Sequence, residues 1–352
     1  MIRKLAMQLR VAKSKASTGG LPFWRQLVEM SYLFVRNGLG PGYYLMARFW
    51  RPELPMAVKR QHWNGRRYLR FVHRINDPRY YKISQNKLVE KAFLRTLGLP
   101  TASLLGLYHP KRGQAVDGAP LCTTADLTRI LSASDAAGLF FKPAEGDSGR
   151  GVFGLKLATE DGRKVLREVL TNTSVAPEDL ARRLESAPEG YVVEEMIAQH
   201  PALALLNPTS VNTLRMWVVD GAAGIQVAGA FLRVGRAGSL IDNTAAGGLA
   251  CAIDLSTGTI REALDLTPFR NEHRTHPDSG AELVGLQIPY WTECRQLACN
   301  ALRVLPGARF VGMDIAVTAH GPVVVEYNVE PSQQGAAHVD TSHSGVFLGF
   351  PF

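Results

Sequence analysis

An aspartate set inside an unbroken apolar run, followed at hairpin distance by an acid and an amide two positions apart, constrains this chain more than any other feature. Asp314 stands within Gly312-Met313-Asp314-Ile315-Ala316-Val317, and Val323-Val324-Val325-Glu326-Tyr327-Asn328 returns across Ala319-His320-Gly321. Side chains alternate along a strand, so Glu326 and Asn328 share one face. A buried acid needs a partner or a cation. Three oxygen ligands on a hairpin suit Mg²⁺, which also takes phosphate oxygens and water. The competing reading is a hydrogen-bonded core network. Asp314, Glu326 and Asn328 are therefore the candidate metal ligands.

A second pattern supplies a place for phosphate. Phe140-Phe141-Lys142-Pro143 is a buried strand, and Gly146-Asp147-Ser148-Gly149-Arg150-Gly151 is a glycine loop leading into the returning strand VFGLKL. The lysine must send its ammonium to a partner, and a glycine loop can expose several backbone N–H groups, which together suit a polyphosphate. The lysine precedes the glycines, so this is neither a P-loop nor a dinucleotide fingerprint. Tyr191-Val192-Val193-Glu194-Glu195-Met196-Ile197 ends an apolar strand on two acids, where a purine can pair with backbone while one acid faces ribose. Arg215, in Asn212-Thr213-Leu214-Arg215, sits in another strand, and Arg233 and Asn243 follow before Gly247-Gly248. A strand arginine beside a metal–phosphate site can neutralise charge on a transferring phosphoryl group.

Around these motifs the pattern is α+β with antiparallel pairs dominant. A helix is predicted from Ser84, its cap, to Leu97, with Leu88, Ala92 and Leu99 on the buried side and Gly98 and Pro100 as the stop. Another is predicted over residues 121–131, a polar one over roughly 160–186, and an amphipathic one over IPYWTECRQLACNALRVL. Strands are predicted in TLRMWVVD, QVAGAFLRV and LACAIDL. Residues 1–75 read as mostly helical, although the Arg/aromatic mixture from His62 to Tyr81 shows no clear period. The implied divisions are 1–75, 76–137, 138–198 and 199–352.

Charge separates the first division from the rest. Residues 1–74 hold fifteen Lys/Arg against Glu29 and Glu53, or +13, so the remainder of a chain of net charge +9 carries −4. The basic piece is expected to meet an anionic substrate or a bilayer surface, as a peripheral contact at the inner membrane face. Nucleic acid is not expected, since no binding motif accompanies the charge. No apolar run approaches the ~18 residues of a membrane span. Four cysteines without a CxxC pair favour a reduced, cytoplasmic setting.

Taken in order, these pieces resemble the ATP-grasp superfamily over roughly residues 80–335, beginning with the helical Lys87 of QNK. HPALALLNPTSVNTLRMWVV followed by GMDIAV and VVVEYN looks most like its sugar-transfer-associated, glutamate-ligase-related branch. The chain departs from the common pattern in reading Val-Glu-Pro after Asn328, where a glycine turn is frequent. The resemblance implies two α+β lobes clasping ATP, beside a basic helical N-terminal extension. Lys87 and Lys142 would hold the α/β phosphates, and Gly146, Asp147, Ser148, Gly149 and Gly151 would close over the β/γ phosphates. The backbone from Glu194 through Glu195 and Met196 to Ile197 would hold adenine. Asp314, Glu326 and Asn328 would ligate one or two Mg²⁺, or Mn²⁺ in their place. Arg215, with Arg233 and Asn243, would stabilise the transfer. The implied reaction activates a carboxylate as an acyl phosphate and joins it to an amine. A kinase that stops at phosphoryl transfer and a non-catalytic ATP-binding scaffold are the alternatives. The tail Ser332–Ser344, with His338, Asp340 and His343, would line the acceptor site or cap the surface.

Overall fold

The structure is a computed structural model that describes residues 2–133, 138–146, 149–161, 163–242, 247–339 and 341–350. Two six-stranded sheets organise it, and every strand pair is antiparallel. The first sheet contains β1 (Leu104–Tyr108), β2 (Gln114–Ala115), β3 (Leu139–Pro143), β4 (Phe153–Glu160), β5 (Arg163–Glu168) and β6 (Tyr191–Glu195), ordered β2-β1-β6-β3-β4-β5. Phe141 and Phe153 stack across the β3–β4 pair with centroids 4.5 Å apart, and the helices Thr124–Ala133 and Pro177–Leu184 help to bury them. The second sheet contains β7 (Thr213–Gly221), β8 (Gly224–Val234), β9 (Leu249–Ile253), β10 (Ile260–Asp265), β11 (Phe310–Thr318) and β12 (Gly321–Asn328), ordered β10-β9-β8-β7-β11-β12. The helix Trp291–Val304 packs on it through Leu297, Ala298, Ala301 and Leu302, an i, i+1, i+4, i+5 stripe.

Three local readings change. The polar helix predicted over 160–186 is instead β5 plus the short helix Pro177–Leu184. Asp161, at φ 48°, opens a tight turn that pairs β5 with β4, so the Asp-Gly signal at 161–162 outweighs helical composition. The helix predicted from Ser84 begins at Lys87. Asn86 caps it, its Oδ1 accepting from the N–H groups of Leu88 and Val89 at 3.1 Å each. Its buried side is Glu90, Lys91 and Leu94, while Ala92 is exposed. The stretch after His62 does have a period: the helix Gly65–Ile75 buries Tyr68, Phe71 and Val72 at i, i+3, i+4, and its arginines occupy the remaining positions. Strand β10 is an element that the sequence pattern does not announce.

The basic N-terminal helices pack directly on the second sheet. Trp63, Tyr68, Phe71 and Val72 share a core with Trp217 and Phe310 of that sheet and with Phe347. Val11, Ala12, Met30 and Leu33 form another core that includes Ala337. Arg48, at φ 51°, pairs with Glu262 of β10. Among the described residues no helix is long and apolar enough to cross a membrane.

Candidate active site

Strand β11 is buried along almost its whole length because it lies between β7 and β12, and Asp314 is 1% exposed at its middle. Pairing places Arg215 of β7 opposite Asp314 on one side and Glu326 of β12 opposite it on the other. Arg215 Nη2 donates to Asp314 Oδ2 at 3.0 Å while its Nε bonds Oδ1, and Arg233 Nη2 donates to Oδ2 at 2.6 Å. Arg233 also donates to Thr213 Oγ1 at 2.7 Å and lies 3.5 Å from Asp242. Burial opposes ionisation of Asp314, but the two guanidinium groups outweigh it and hold its carboxyl below the ordinary value. Glu326 goes the other way: burial, then the adjacent Asp314 charge, raises it. Two facing acids whose proton affinities are driven apart are a usual sign of a functional centre.

A second network borders the first. Glu194, at the end of β6, is 1% exposed and lies 2.7 Å from Lys142 Nζ and 3.4 Å from Lys91 Nζ. Burial works against both charges of the Glu194–Lys142 pair. Mutual attraction prevails, with Glu194 held below and Lys142 above its ordinary value. Lys142 therefore keeps its positive charge while nine-tenths hidden, and Glu326 and Glu90 lie close enough to reinforce it.

Glu90 and Lys91 are the residues that sequence reasoning missed. Lys91 Nζ donates to Val325 O at 2.8 Å, and Glu90 accepts from the Tyr327 N–H. They grip the backbone on either side of Glu326. The reason is that β12 is an edge strand, whose outward N–H and C=O groups would otherwise lack partners. Thr101 bridges to Val324 alongside them.

Other predicted residues are placed as follows. Lys87 Nζ donates to Gly146 O at 2.8 Å, at the start of the glycine loop. Gly146, Gly149 and Gly151 have φ of 131°, 68° and 75°, a backbone that a side chain would strain. A Cβ on Gly149 would come within 2.8 Å of Ile241, so the loop reaches the segment after β8. Glu195 and Met196 give their N–H groups to Ser103 O and Gly138 O, at 2.9 Å each, and Ile197 is half-buried just beyond β6. Asn328 is half-buried, and its Oδ1 accepts from the Glu330 N–H at 3.2 Å. Asp147, Ser148, Asn243 and Asp340 lie outside the described residues.

The tail divides between two environments. His338 lies 3.1 Å from Arg270 and against Phe231. His343 is stacked on Trp63, its Nδ1 accepting from the Trp63 N–H at 3.1 Å and its Nε2 donating to Gln333 O at 3.0 Å. Among the described residues no three His, Cys, Asp or Glu side chains cluster as a metal site. The oxygen donors of β11 and β12 nevertheless fit a divalent cation. Glu326 and Asn328 face one way, Asp314 is adjacent, and a further positive charge would relieve the repulsion between Asp314 and Glu326.

Comparison with known proteins gives a family. The family model for sugar-transfer associated ATP-grasp matches residues 66–341. No curated protein matches the sequence. Among solved structures, the ATP-grasp ligase PsnB, in complex with a phosphomimetic variant of its minimal precursor, Mg and ADP, is similar at 18% identity and TM-score 0.38. That match covers 77% of this chain and 58% of PsnB. D-alanyl-alanine synthetase A from Vibrio cholerae is 13% identical with TM-score 0.41, over 73% of this chain and 58% of that one. The L-amino acid ligase from Bacillus licheniformis is 13% identical with TM-score 0.39, over 73% and 43%. The chain spans less than two-thirds of the length of each of these proteins.

Proposed function

Because the chain belongs to the sugar-transfer associated ATP-grasp family, we propose that it is an ATP-dependent carboxylate–amine ligase that binds Mg²⁺–ATP between Lys142 and Asn328. The observation that carries this reading is the pairing of Asp314 with Arg215 and Arg233, opposite Glu326 and beside the charged Lys142–Glu194 pair.

Each group has a task that follows from its surroundings. Lys142, kept cationic by Glu194, offers a fixed positive charge to phosphate oxygens. Lys87 stands at the mouth of the loop from Gly146 to Gly151, whose N–H groups would close over the terminal phosphates. Glu326 and Asn328, with Asp314, would hold the divalent cation, which when bound neutralises phosphate charge. Arg215 and Arg233 balance the charge that builds up on the transferring phosphoryl group and hold the substrate carboxylate in line. A carboxylate oxygen of the substrate attacks the γ-phosphorus, the bond to ADP breaks, and an acyl phosphate results. An amine then attacks the acyl carbon, phosphate leaves and an amide forms. No protein nucleophile takes part, and catalysis rests on positioning and charge. The substrates are a small acid and a small amine, or a sugar or amino-acid conjugate of either. The positive excess of residues 1–74 supports an anionic contact for that part of the chain.

The test is ADP release in the presence of candidate acids and amines, run with and without hydroxylamine. A trapped hydroxamate is the expected result. A stable phosphorylated product with no hydroxamate would instead assign the chain to phosphoryl transfer alone.

A further inference from the structure

The helix Phe23–Asn37 has two apolar sides where packing needs one. Its inward side, Gln26, Glu29, Met30 and Leu33, is buried against the body. On the opposite side Trp24, Val28, Tyr32 and Val35 stand at i, i+4, i+8 and i+11, and are 66%, 59%, 41% and 86% exposed. Leu5 and Leu9 of the helix Ile2–Ser17, which packs beside it, add two more exposed apolar side chains. Scattered exposed leucines need no account, but a contiguous aromatic and aliphatic stripe marks a contact surface.

The exposed charges carried by these two helices have one sign. Glu29 is the sole acid in residues 2–52, and it faces inward, 2.6 Å from Lys59 Nζ and 2.9 Å from the Tyr44 hydroxyl. The exposed charges on the two helices are Arg3, Lys4, Arg10, Lys13, Arg25 and Arg36. Beyond them Arg60 reaches the Tyr32 hydroxyl at 3.5 Å, continuing the positive border.

We propose that this face docks on an anionic bilayer, with the helix Phe23–Asn37 lying in the plane of the interface. A Trp-bearing apolar stripe on helices whose own exposed charges are all Lys and Arg matches the chemistry of that boundary, where apolar side chains enter the acyl region and cations meet lipid phosphates. A polynucleotide would satisfy the cations but leave Val28, Val35, Leu5 and Leu9 without apolar contact. A protein partner would need a matching acidic rim around an apolar centre, and that case is an outcome of the test below. The proposal deepens the anionic contact in the proposed function and rests on that part of it, independently of the bond-forming chemistry.

Sedimentation of the full chain with vesicles tests it. One set is phosphatidylcholine, and the other contains about one-third phosphatidylglycerol. Binding to the anionic set, weakened by salt, is expected. Replacing Trp24→Ala together with Val35→Asp should lower it roughly tenfold, since both side chains leave water on docking. Mg²⁺-dependent ATP binding, followed in the same samples with a fluorescent ATP analogue, should be equal in the two proteins. Absence of ATP binding in both, with vesicle binding intact, would sink the ligase reading and leave this one standing. Absence of wild-type binding to anionic vesicles overturns the proposal, and so does equal binding by the double variant. Self-association that the variant abolishes, without any vesicle binding, would assign the face to a second copy of the chain and also overturn it.

Discussion

Glu194 shows how much can depend on a single carboxylate. It neutralises both Lys142 and Lys91 in a place with little water, so Glu194→Gln would leave two buried ammonium groups facing an amide. Removing one partner of such a set costs about 3–5 kcal/mol. The variant should show that loss in urea unfolding, together with weaker ATP binding as Lys142 gives up its proton more readily. Glu326→Gln is expected to behave differently: turnover is lost, while stability falls less than in Glu194→Gln, because burial and the adjacent Asp314 charge already work against the Glu326 carboxylate in the folded chain. His343 supplies a pH dependence of its own. Burial, with His62 nearby, pulls its imidazole down to about 3 from an ordinary value of 6.5. A base depressed in the folded state takes up its proton in the unfolded chain first, so its stabilisation is complete above 6.5 and is lost as pH falls towards 3. At pH 5 the loss from this group is about 2 kcal/mol relative to pH 7.5. Urea midpoints across that range should slope accordingly, and His343→Gln should flatten the slope.

Among the elements, the helix Lys87–Thr96 joins the two sheets. Its cap, Asn86, also donates to Glu145 at 3.3 Å, so the cap fixes the helix and the approach to the glycine loop together. Asn86→Ala should cost about 1 kcal/mol of stability. It should also raise the KM for ATP more than it lowers kcat, because Lys87 is displaced while Asp314 and Glu326 are not. This helix also marks where sequence reading ran out. The strands β7, β8, β9, β11 and β12 could be read because their apolar runs have no competing explanation, and the acids within them stood out. Glu90 and Lys91 were invisible for the opposite reason. On a helix, Lys and Glu ordinarily mean a solvated face, and only knowing that β12 has an open edge turns them inward. The Asp161 turn was hidden by the helix-forming residues after it, a case of turn chemistry outweighing propensity. Arg215 and Arg233 could be singled out one by one, yet their convergence on Asp314 depends on a register that no local pattern carries.

For the molecule as a whole, the basic N-terminal residues are part of the fold and not an appendage. A chain starting at residue 76 would expose Trp217 and Phe310, now covered by Trp63, Tyr68 and Phe71. It is expected to bind a hydrophobic dye and to lose its near-ultraviolet circular dichroism, and sharp native spectra from it would contradict this account. The contact between Trp63 and His343 joins residues 280 positions apart. Gln333 and Ser344 hold the same place through the Trp63 carbonyl and indole. Translation makes residues 1–75 early and their covering much later. At about 5–20 residues per second the wait is on the order of tens of seconds. During that time a stretch rich in Trp, Phe and Arg has no finished core to enter. Whatever shelters it in the interval, a chaperone or a membrane surface, becomes part of how this protein reaches its fold.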